Sequence, residues 1–445
     1  MIEFLLKVFD ENKNDDAIIW RDQPFAYSWL TERISSWQVA LDKEQIQTGS
    51  VVILEADFSP NAIALFLALI ERNCIIAPLT KSIAAKKAEF MEIAEGEAQI
   101  AIDDEDAAAF EKLPRQATHH LYAVLRERRH PGLILFSSGS TGKSKAALHD
   151  LTGILEKFKV RRNRQRAITF LLYDHIGGVN TMLYTLSNGG CVITVQERTP
   201  EKVLEAVQNY HATLLPTSPT FINMILFSEA YKHYDLSSLQ TVTYGTEPMP
   251  ESTLARFHQL FPHITLQQTY GLSEVGILRS RSKSSDSLWV KIGGEGFETR
   301  IVDGILHIKA QSAMLGYLNA PSPFSEDGWF ITGDEVQVDG DYYRILGRRS
   351  ELINVGGEKV YPAEVESTLL LMEGVDDVIV TGETNQLSGQ IVLAKVNLST
   401  AENLMQFRQR MREFCKDKLA KYKIPQKVIL LDRPAYSQRF KKMRL

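Results

Sequence analysis

Gly132-Leu-Ile-Leu-Phe-Ser-Ser-Gly-Ser-Thr-Gly-Lys-Ser-Lys-Ala146 decides how the rest of the chain is read. Gly132 to Phe136 has strand character and runs without a break into small and basic residues, Ser137 to Lys145. Small residues let successive backbone N–H groups turn toward one point. Hydroxyls add donors and lysines add charge, a combination that suits a polyphosphate. The segment is close to a Walker loop but fails it. Counting back from Gly142-Lys143-Ser144, the required first glycine falls on Ser137. A flexible surface turn explains the bare segment equally well, so the decision lies with its surroundings.

On both sides of the loop, short β-rich runs alternate with helix-like segments. Ser50 to Glu55, Cys74 to Pro78, Gly132 to Phe136, Ala167 to Leu172 and Cys191 to Val195 are the strand candidates. Asn61 to Glu71 and Pro200 to Tyr210 are helix candidates. Such alternation predicts parallel sheet with covering helices. From Trp289 to Leu346 strands follow one another closely, with turn signals at Asp303-Gly304, Asp327-Gly328 and Asp339-Gly340. After Gly347 a second α/β pattern begins, with an amphipathic helix expected over Ala401 to Ala420. The change of texture puts a boundary near Arg348 to Glu351.

The 445 residues carry 50 basic and 55 acidic side chains, a net charge of −5, with 44% hydrophobic and 24% charged residues. That is ordinary globular usage. It excludes wholesale disorder, a collagen-like repeat and nucleic-acid binding through bulk positive charge. From Ala401 to Leu445, however, 13 basic residues face 4 acidic ones, a local balance of +9. Cys74, Cys191 and Cys415 lie far apart in no metal-like spacing, which fits a reducing compartment. The start, Met1 to Lys7, makes a poor signal peptide. The longest uncharged apolar stretch, Ala62 to Ile70, is about half of the roughly 20 residues a spanning helix needs. A cytoplasmic protein without a membrane span is expected.

Ser137 to Ala146 resembles the phosphate loop of the adenylate-forming superfamily, which holds acyl- and aryl-CoA ligases, stand-alone adenylation domains and beetle luciferases. Ser144 stands at the usual proline, Ala146 at the final glycine, and Lys145 at the family's lysine. The resemblance implies that Ser137, Ser138, Gly139, Ser140, Thr141 and Gly142 face the β- and γ-phosphates of ATP. Further motifs follow in the family's order. Thr243-Tyr-Gly-Thr-Glu-Pro248 is similar to the segment beside adenine and the acyl pocket, which brings in Gly245, Thr246 and Glu247. Gln268-Thr-Tyr-Gly-Leu-Ser-Glu274 resembles the Y-G-x-T-E signature. There Thr269 and Tyr270 border the nucleotide, Tyr270 offering a flat face to adenine, and Gly271 permits close backbone approach. Ser273 can donate to the α-phosphate, and Glu274 can hold Mg2+, a hard ion that prefers oxygen ligands.

Trp329-Phe-Ile-Thr-Gly-Asp334 resembles W-x-x-T-G-D, whose aspartate accepts both ribose hydroxyls, a task for an acceptor-only carboxylate. Gly347-Arg-Arg-Ser350 matches the stretch that ends on the family's interdomain hinge, with Arg348 as the nucleotide contact and Ser350 in place of the usual Asp or Lys. Ile353 to Glu366 resembles the acyl-CoA ligase segment in which paired glycines, here Gly356 and Gly357, pass along the pantetheine tunnel. Near the end, Pro434 to Arg444 resembles P-x-x-x-x-G-K-x-x-R. Lys441 with Arg444 fits the lysine–arginine spacing, so Lys441 is preferred to Lys442 as catalytic lysine, although Phe440 stands at the glycine. Leu172 to Gly178 is similar to the F-H-x-x-G stretch, with His175 beside the acyl pocket, which tilts the substrate away from amino acids.

The resemblance implies an α/β fold: a large N-terminal domain, residues 1–348, of mostly parallel βα sheets plus a small β-barrel-like subdomain. A small mobile α+β domain, residues 351–445, carries the lysine, with the hinge near 350. It implies a two-step ligase using ATP and Mg2+. An acyl-adenylate forms from a small acyl or aryl carboxylic acid, with Lys441, Ser273 and Lys145 stabilising the transfer. The acyl group then passes to a phosphopantetheine thiol, of CoA or alternatively of an acyl carrier protein. A non-catalytic nucleotide-binding relative is the reading of another class. The chain is short for the family, which points to trimmed peripheral elements and no fused carrier domain.

Overall fold

The computed structural model of the protein describes residues 1–138, 144–432, 436–437 and 440–442. In it the strand Gly132–Ser138 lies in a seven-stranded sheet, parallel to Ile75–Leu79 and through it to Val51–Glu55 and Ala98–Ile102. Antiparallel strands complete its edges: Ala108–Lys112 on one side, Ser144–Asp150 and then Gly316–Tyr317 on the other. The strand residues Val51 to Leu54 are all buried, as a strand covered on both faces demands. The helix Pro60–Glu71 covers one face. Ser59 caps it by accepting the Ala62 N–H, Pro60 opens it, and every residue from Ala62 to Ile70 is buried. A helix apolar on all sides needs cover on all sides. It finds that cover between two sheets, sharing one core with Val52 and Leu54 of the first and Ile18 and Val192 of the second.

The second seven-stranded sheet runs in the order Thr265–Gln268, Thr241–Tyr244, Leu214–Thr217, Arg166–Ile168, Cys191–Ile193, Asp16–Trp20, Gln23–Ala26. All its neighbours are parallel except the last pair. The strand expected over Ala167 to Leu172 stops at Ile168, and that expected to Val195 stops at Ile193. Beyond these points the chain leaves the ladder, so Phe170 to His175 becomes a loop at the carboxyl edge of the sheet. Ligands bind at that edge in open α/β sheets. Gly245 to Glu247 and Thr269 to Glu274 follow other strands of the same sheet at the same edge.

Beyond residue 280 a six-stranded antiparallel sheet takes over, ordered Ser280–Ser282, Trp289–Ile292, Tyr342–Arg348, Phe330–Asp339, Ile305–Ala310, Phe297–Val302. The three Asp-Gly pairs fall in its turns, Asp303 with a left-handed φ of 51°. The last unit has its own five-stranded sheet, from Ile353–Val355 to Lys427–Leu431, and its own core of residues such as Val365, Leu369, Phe407 and Met411. Its helix spans Leu404–Cys415 and is shorter than the expected Ala401 to Ala420. Asn403 sets the start: its side chain accepts the Met405 and Gln406 N–H groups while Gln406 accepts the Asn403 N–H, a reciprocal capping box. Among the described residues no helix is long and apolar enough to cross a membrane.

Candidate active site

The loop after Thr241–Tyr244 is shaped by close contacts. A Cβ on Gly245 would lie 2.7 Å from Thr269 Oγ1 and 2.8 Å from the Thr269 carbonyl oxygen, so only glycine fits there. Thr246 takes a left-handed φ of 75°, which a β-branched residue rarely adopts, and backbone strain of this kind concentrates at functional sites. Glu247 accepts the Thr220 N–H at 2.9 Å and the Thr220 hydroxyl on Oε1, and the Lys442 backbone N–H at 3.1 Å on Oε2. Thr269 donates both its N–H and its hydroxyl to the Tyr244 carbonyl.

His175 caps the helix Ile176–Ser187, its Nδ1 accepting the Gly177 N–H at 3.0 Å. That acceptor role puts the proton of the neutral ring on Nε2. Gly178 is obligatory in this turn, because a Cβ there would come 2.1 Å from the Leu172 carbonyl oxygen.

The signature segment forms a small hairpin, Gly271–Leu272 against Gly276–Ile277. Gly271 serves that hairpin itself: a Cβ would meet Ile277 Cδ1 at 2.4 Å and the Gly276 carbonyl oxygen at 2.8 Å. The Ser273 carbonyl accepts from Nε2 of the fully buried His149, and burial pushes that imidazole below its ordinary pKa, keeping it neutral. Glu274 Oε1 accepts the Tyr317 hydroxyl at 2.6 Å, and Lys145 Nζ stands 5.2 Å from the Tyr317 ring centre. Tyr317 therefore joins the lysine of the phosphate loop to the expected metal ligand. Burial, followed by the Glu274 charge, raises its phenol pKa, so it remains a donor.

Tyr270 and Asp334 meet. The Tyr270 hydroxyl donates to Asp334 Oδ2, Arg348 Nε lies 3.6 Å from Oδ1, and the Asp334 N–H donates to Thr332 Oγ1 at 2.9 Å. Burial raises the Asp334 carboxyl pKa, while the Tyr270 hydroxyl and Arg348 pull against it.

The small unit reaches across to this site with its end. Tyr436 bridges Lys442, and the Phe440 N–H donates to the Ser437 carbonyl at 2.9 Å, which turns the segment back on itself. Ser218 Oγ donates to the Phe440 carbonyl at 2.7 Å. The two lysines then part. Lys442 Nζ goes back into the small unit, to Glu366 and the Val378 carbonyl. Lys441 lines a cavity with Phe170, Leu171, Leu172, His175, Thr246 and Phe440.

The expected residues thus gather in three groups: Lys145 with Ser273 and Glu274; Tyr270 with Asp334 and Arg348; His175 with Thr246 and Lys441. Gly245, Glu247, Thr269 and Gly271 hold the backbone beneath them. Ser137 and Ser138 end the strand Gly132–Ser138, paired with Lys145 and Ser144. Gly139, Ser140, Thr141 and Gly142 lie outside the described residues. Gly356 and Gly357 do not join the site. They form an exposed left-handed turn, φ 62° and 94°, tied to the Ser388 carbonyl and Asn354 Oδ1. His149 and Tyr317 are site residues that the motifs passed over. The one available signal for His149 was a lone imidazole at the end of the apolar run Ala146 to Leu148.

Among the described residues no group of three His, Cys, Asp or Glu side chains could hold a metal. Glu274 nonetheless fits Mg2+, which binds through one or two carboxylates and fills its shell with phosphate oxygens and water. Its carboxylate is half-buried and oriented by Tyr317.

Loops at the carboxyl edge of a parallel sheet, an antiparallel sheet behind them and a small unit that presents a lysine together define an adenylate-forming architecture. The chain belongs to the AMP-binding enzyme family, whose profile matches residues 6–318, while that of the AMP-binding enzyme C-terminal domain matches residues 364–439. Among curated relatives it is 29% identical, over 67% of its length, to a 3-[(3aS,4S,7aS)-7a-methyl-1,5-dioxo-octahydro-1H-inden-4-yl]propanoyl:CoA ligase of Rhodococcus jostii. It is 28% identical, over 68% of its length, to an indoleacetate–CoA ligase of Aromatoleum aromaticum. These matches span 61% and 64% of the two relatives' own lengths. The fold is shared with an anthranilate CoA ligase solved with anthranoyl-AMP, at a TM-score of 0.84 and 19% identity, covering 99% of this chain and 95% of that one.

Proposed function

We propose that this chain is an ATP-dependent carboxylic acid ligase of the acid–thiol type, with CoA as the acceptor. The reading rests on the cavity that Lys441 shares with His175 and Thr246. A cation from one domain meets a strained loop and an oriented imidazole from the other, at the sheet edge from which the segment of Tyr270 and Glu274 also leaves. In the first step a carboxylate oxygen attacks the α-phosphorus of ATP. The new P–O bond makes an acyl-adenylate, and pyrophosphate leaves with the electron pair of the broken bond. Charge developing on the phosphoryl oxygens needs preorganised cations and donors. Lys441 supplies one charge and Lys145 another, Ser273 supplies a hydroxyl, and Asp334 receives the ribose hydroxyls. Mg2+ on Glu274, when bound, neutralises phosphate charge. His175 borders the acid.

In the second step the thiol sulfur attacks the acyl carbon, AMP departs with its phosphate oxygen, and the thiol proton passes to solvent. Lys441 lines the cavity beside His175 and Thr246, and the Gly356-Gly357 turn stands in solvent. Both facts favour a cycle in which residues 351–445 turn about a hinge near Ser350 against residues 1–348. Away from the terminal segment that carries Phe440, polar contacts join the described parts of the two units, a kind of interface that suits relative motion. Ser252 N–H meets Ser367 Oγ at 3.1 Å, Asn223 meets the Asp376 carbonyl at 3.1 Å, and Lys359 meets Glu335 at 3.2 Å. The named activities of the relatives favour CoA over a carrier protein. Acid-dependent pyrophosphate exchange with Mg·ATP across acyl, aryl and amino acids tests the first step. Thioester formation with free CoA against carrier proteins tests the second. No exchange with any acid would overturn the reading.

A further inference from the structure

Phe440 is a partly buried aromatic side chain from the small unit, packed against the core of the large one. Its ring centre lies 5.0 Å from Phe170 and 5.4 Å from Phe221, and Tyr436 stacks on it at 5.8 Å. Phe170 and Phe221 are fully buried members of the core of the second sheet. The Phe440 backbone has a φ of 50°, the left-handed region that a bulky residue rarely enters and glycine enters freely. The strained backbone is held by the Ser218 hydroxyl on its carbonyl and by its own N–H on Ser437. The ring faces the cavity lined by His175, Thr246 and Lys441.

We propose that Phe440 is a specificity-determining residue: its ring forms the wall of the acid pocket supplied by the small domain and limits the enzyme to compact acids. This rests on the ligase reading above. Two features carry it. The cavity wall made by Phe170 to Leu172 is apolar, so the part of the substrate it receives is an apolar acyl or aryl group. The ring contributed by residue 440 reduces the space on that side, and the backbone there would accept glycine without strain. Removing the ring therefore opens the pocket while leaving the turn that presents Lys441 intact. An apolar pocket discriminates by size, and a change of several methylenes in available depth moves relative rates by about tenfold or more.

The test uses the full chain and measures kcat/KM for acid-dependent pyrophosphate exchange with acetate, hexanoate, benzoate, cinnamate and 2-naphthoate, in wild type, Phe440→Gly and Phe440→Leu. The ratio for the largest to the smallest accepted acid should rise about tenfold or more in Phe440→Gly, and less in Phe440→Leu, with the KM for ATP unchanged. Exchange that appears only in Phe440→Gly, with the larger acids, supports the same conclusion. A uniform fall across all acids, or a parallel rise in the KM for ATP, overturns it and leaves Phe440 a docking contact. Exchange absent from all three proteins overturns the ligase reading and this proposal together. Exchange in wild type with an unmoved acid profile overturns this proposal alone.

Discussion

Lys442 Nζ lies 3.0 Å from Glu366 Oε2, in an ion pair whose side chains are 7% and 2% exposed. The same ammonium donates to the Val378 carbonyl, and the other Glu366 oxygen accepts the Val380 N–H at 2.9 Å. Lys442 is thus committed to the interior of the small domain, and its neighbour Lys441 is the one turned to the site. Adjacent residues of an extended segment point to opposite sides, so burying one presents the other.

The two lysines should separate by experiment. Lys441→Ala lowers acyl-adenylate formation by about 100- to 1,000-fold, the scale of losing one preorganised charge donor. Its melting temperature stays near wild type, and thioester formation from supplied acyl-adenylate survives. Lys442→Ala leaves Glu366 buried without its cation and costs about 3–5 kcal/mol. Calorimetry on both variants with the two half-reactions decides. Equal unfolding losses would contradict the assignment.

Asp334→Asn should abolish most of the thermal protection given by ATP. Tyr270→Phe is the control, since it removes the hydroxyl that Asp334 holds. If the carboxylate binds ribose, the asparagine variant loses far more protection than the phenylalanine one. Equal losses would make Asp334 only a partner for Tyr270.

His149→Ala should slow exchange by about tenfold through a displaced Ser273, without altering the ranking of acids, as expected of a residue acting through another. Its folding also carries a pH signature. The folded imidazole has a lowered pKa, so the stability due to the neutral ring is present above pH 6.5 and is lost as pH falls below it. Denaturation midpoints between pH 7 and 5 should fall more steeply in wild type than in His149→Ala.

Lys157 offers a test at the other end of the scale. Its ammonium is held by neutral acceptors, Asn180 Oδ1 at 2.6 Å and the Ile277 carbonyl at 3.0 Å, and burial pushes its pKa down to about 7. Between about pH 7 and the ordinary lysine range the unfolded chain binds a proton that the folded chain lacks. Stability attributable to this group therefore rises with pH across that window. Wild type should gain a few degrees of melting temperature from pH 7 to 9.5 relative to Lys157→Met. Identical slopes would refute the assignment.

Much of the site was legible because its determinants are local. Gly245, Gly271 and Gly178 are each demanded by backbone a few residues away or on the adjoining strand, and Pro60 and Asn403 mark helix starts by caps that need only their own segment. Even there, the reason for Gly271 differed from the expectation: it makes room for its own hairpin. The strand ends at Ile168 and Ile193 were not legible, since apolar character continues past both and only the missing ladder partners end them.

Pairing across distance was hidden altogether. His149 reaches a carbonyl 124 positions away, and Tyr317 reaches a carboxylate 43 positions back. Neither residue type carries a spacing that announces such a partner. The order of motifs in the chain was enough to name the family, because such loops, turns and caps are built from nearest neighbours. Which of two adjacent lysines lines the cavity with His175, and which aromatic ring lies beside it, depended on how the last hairpin docks against the large domain. Burial of one ammonium against Glu366 and of one ring against Phe170 is a long-range packing outcome, and packing exists only once the fold is made.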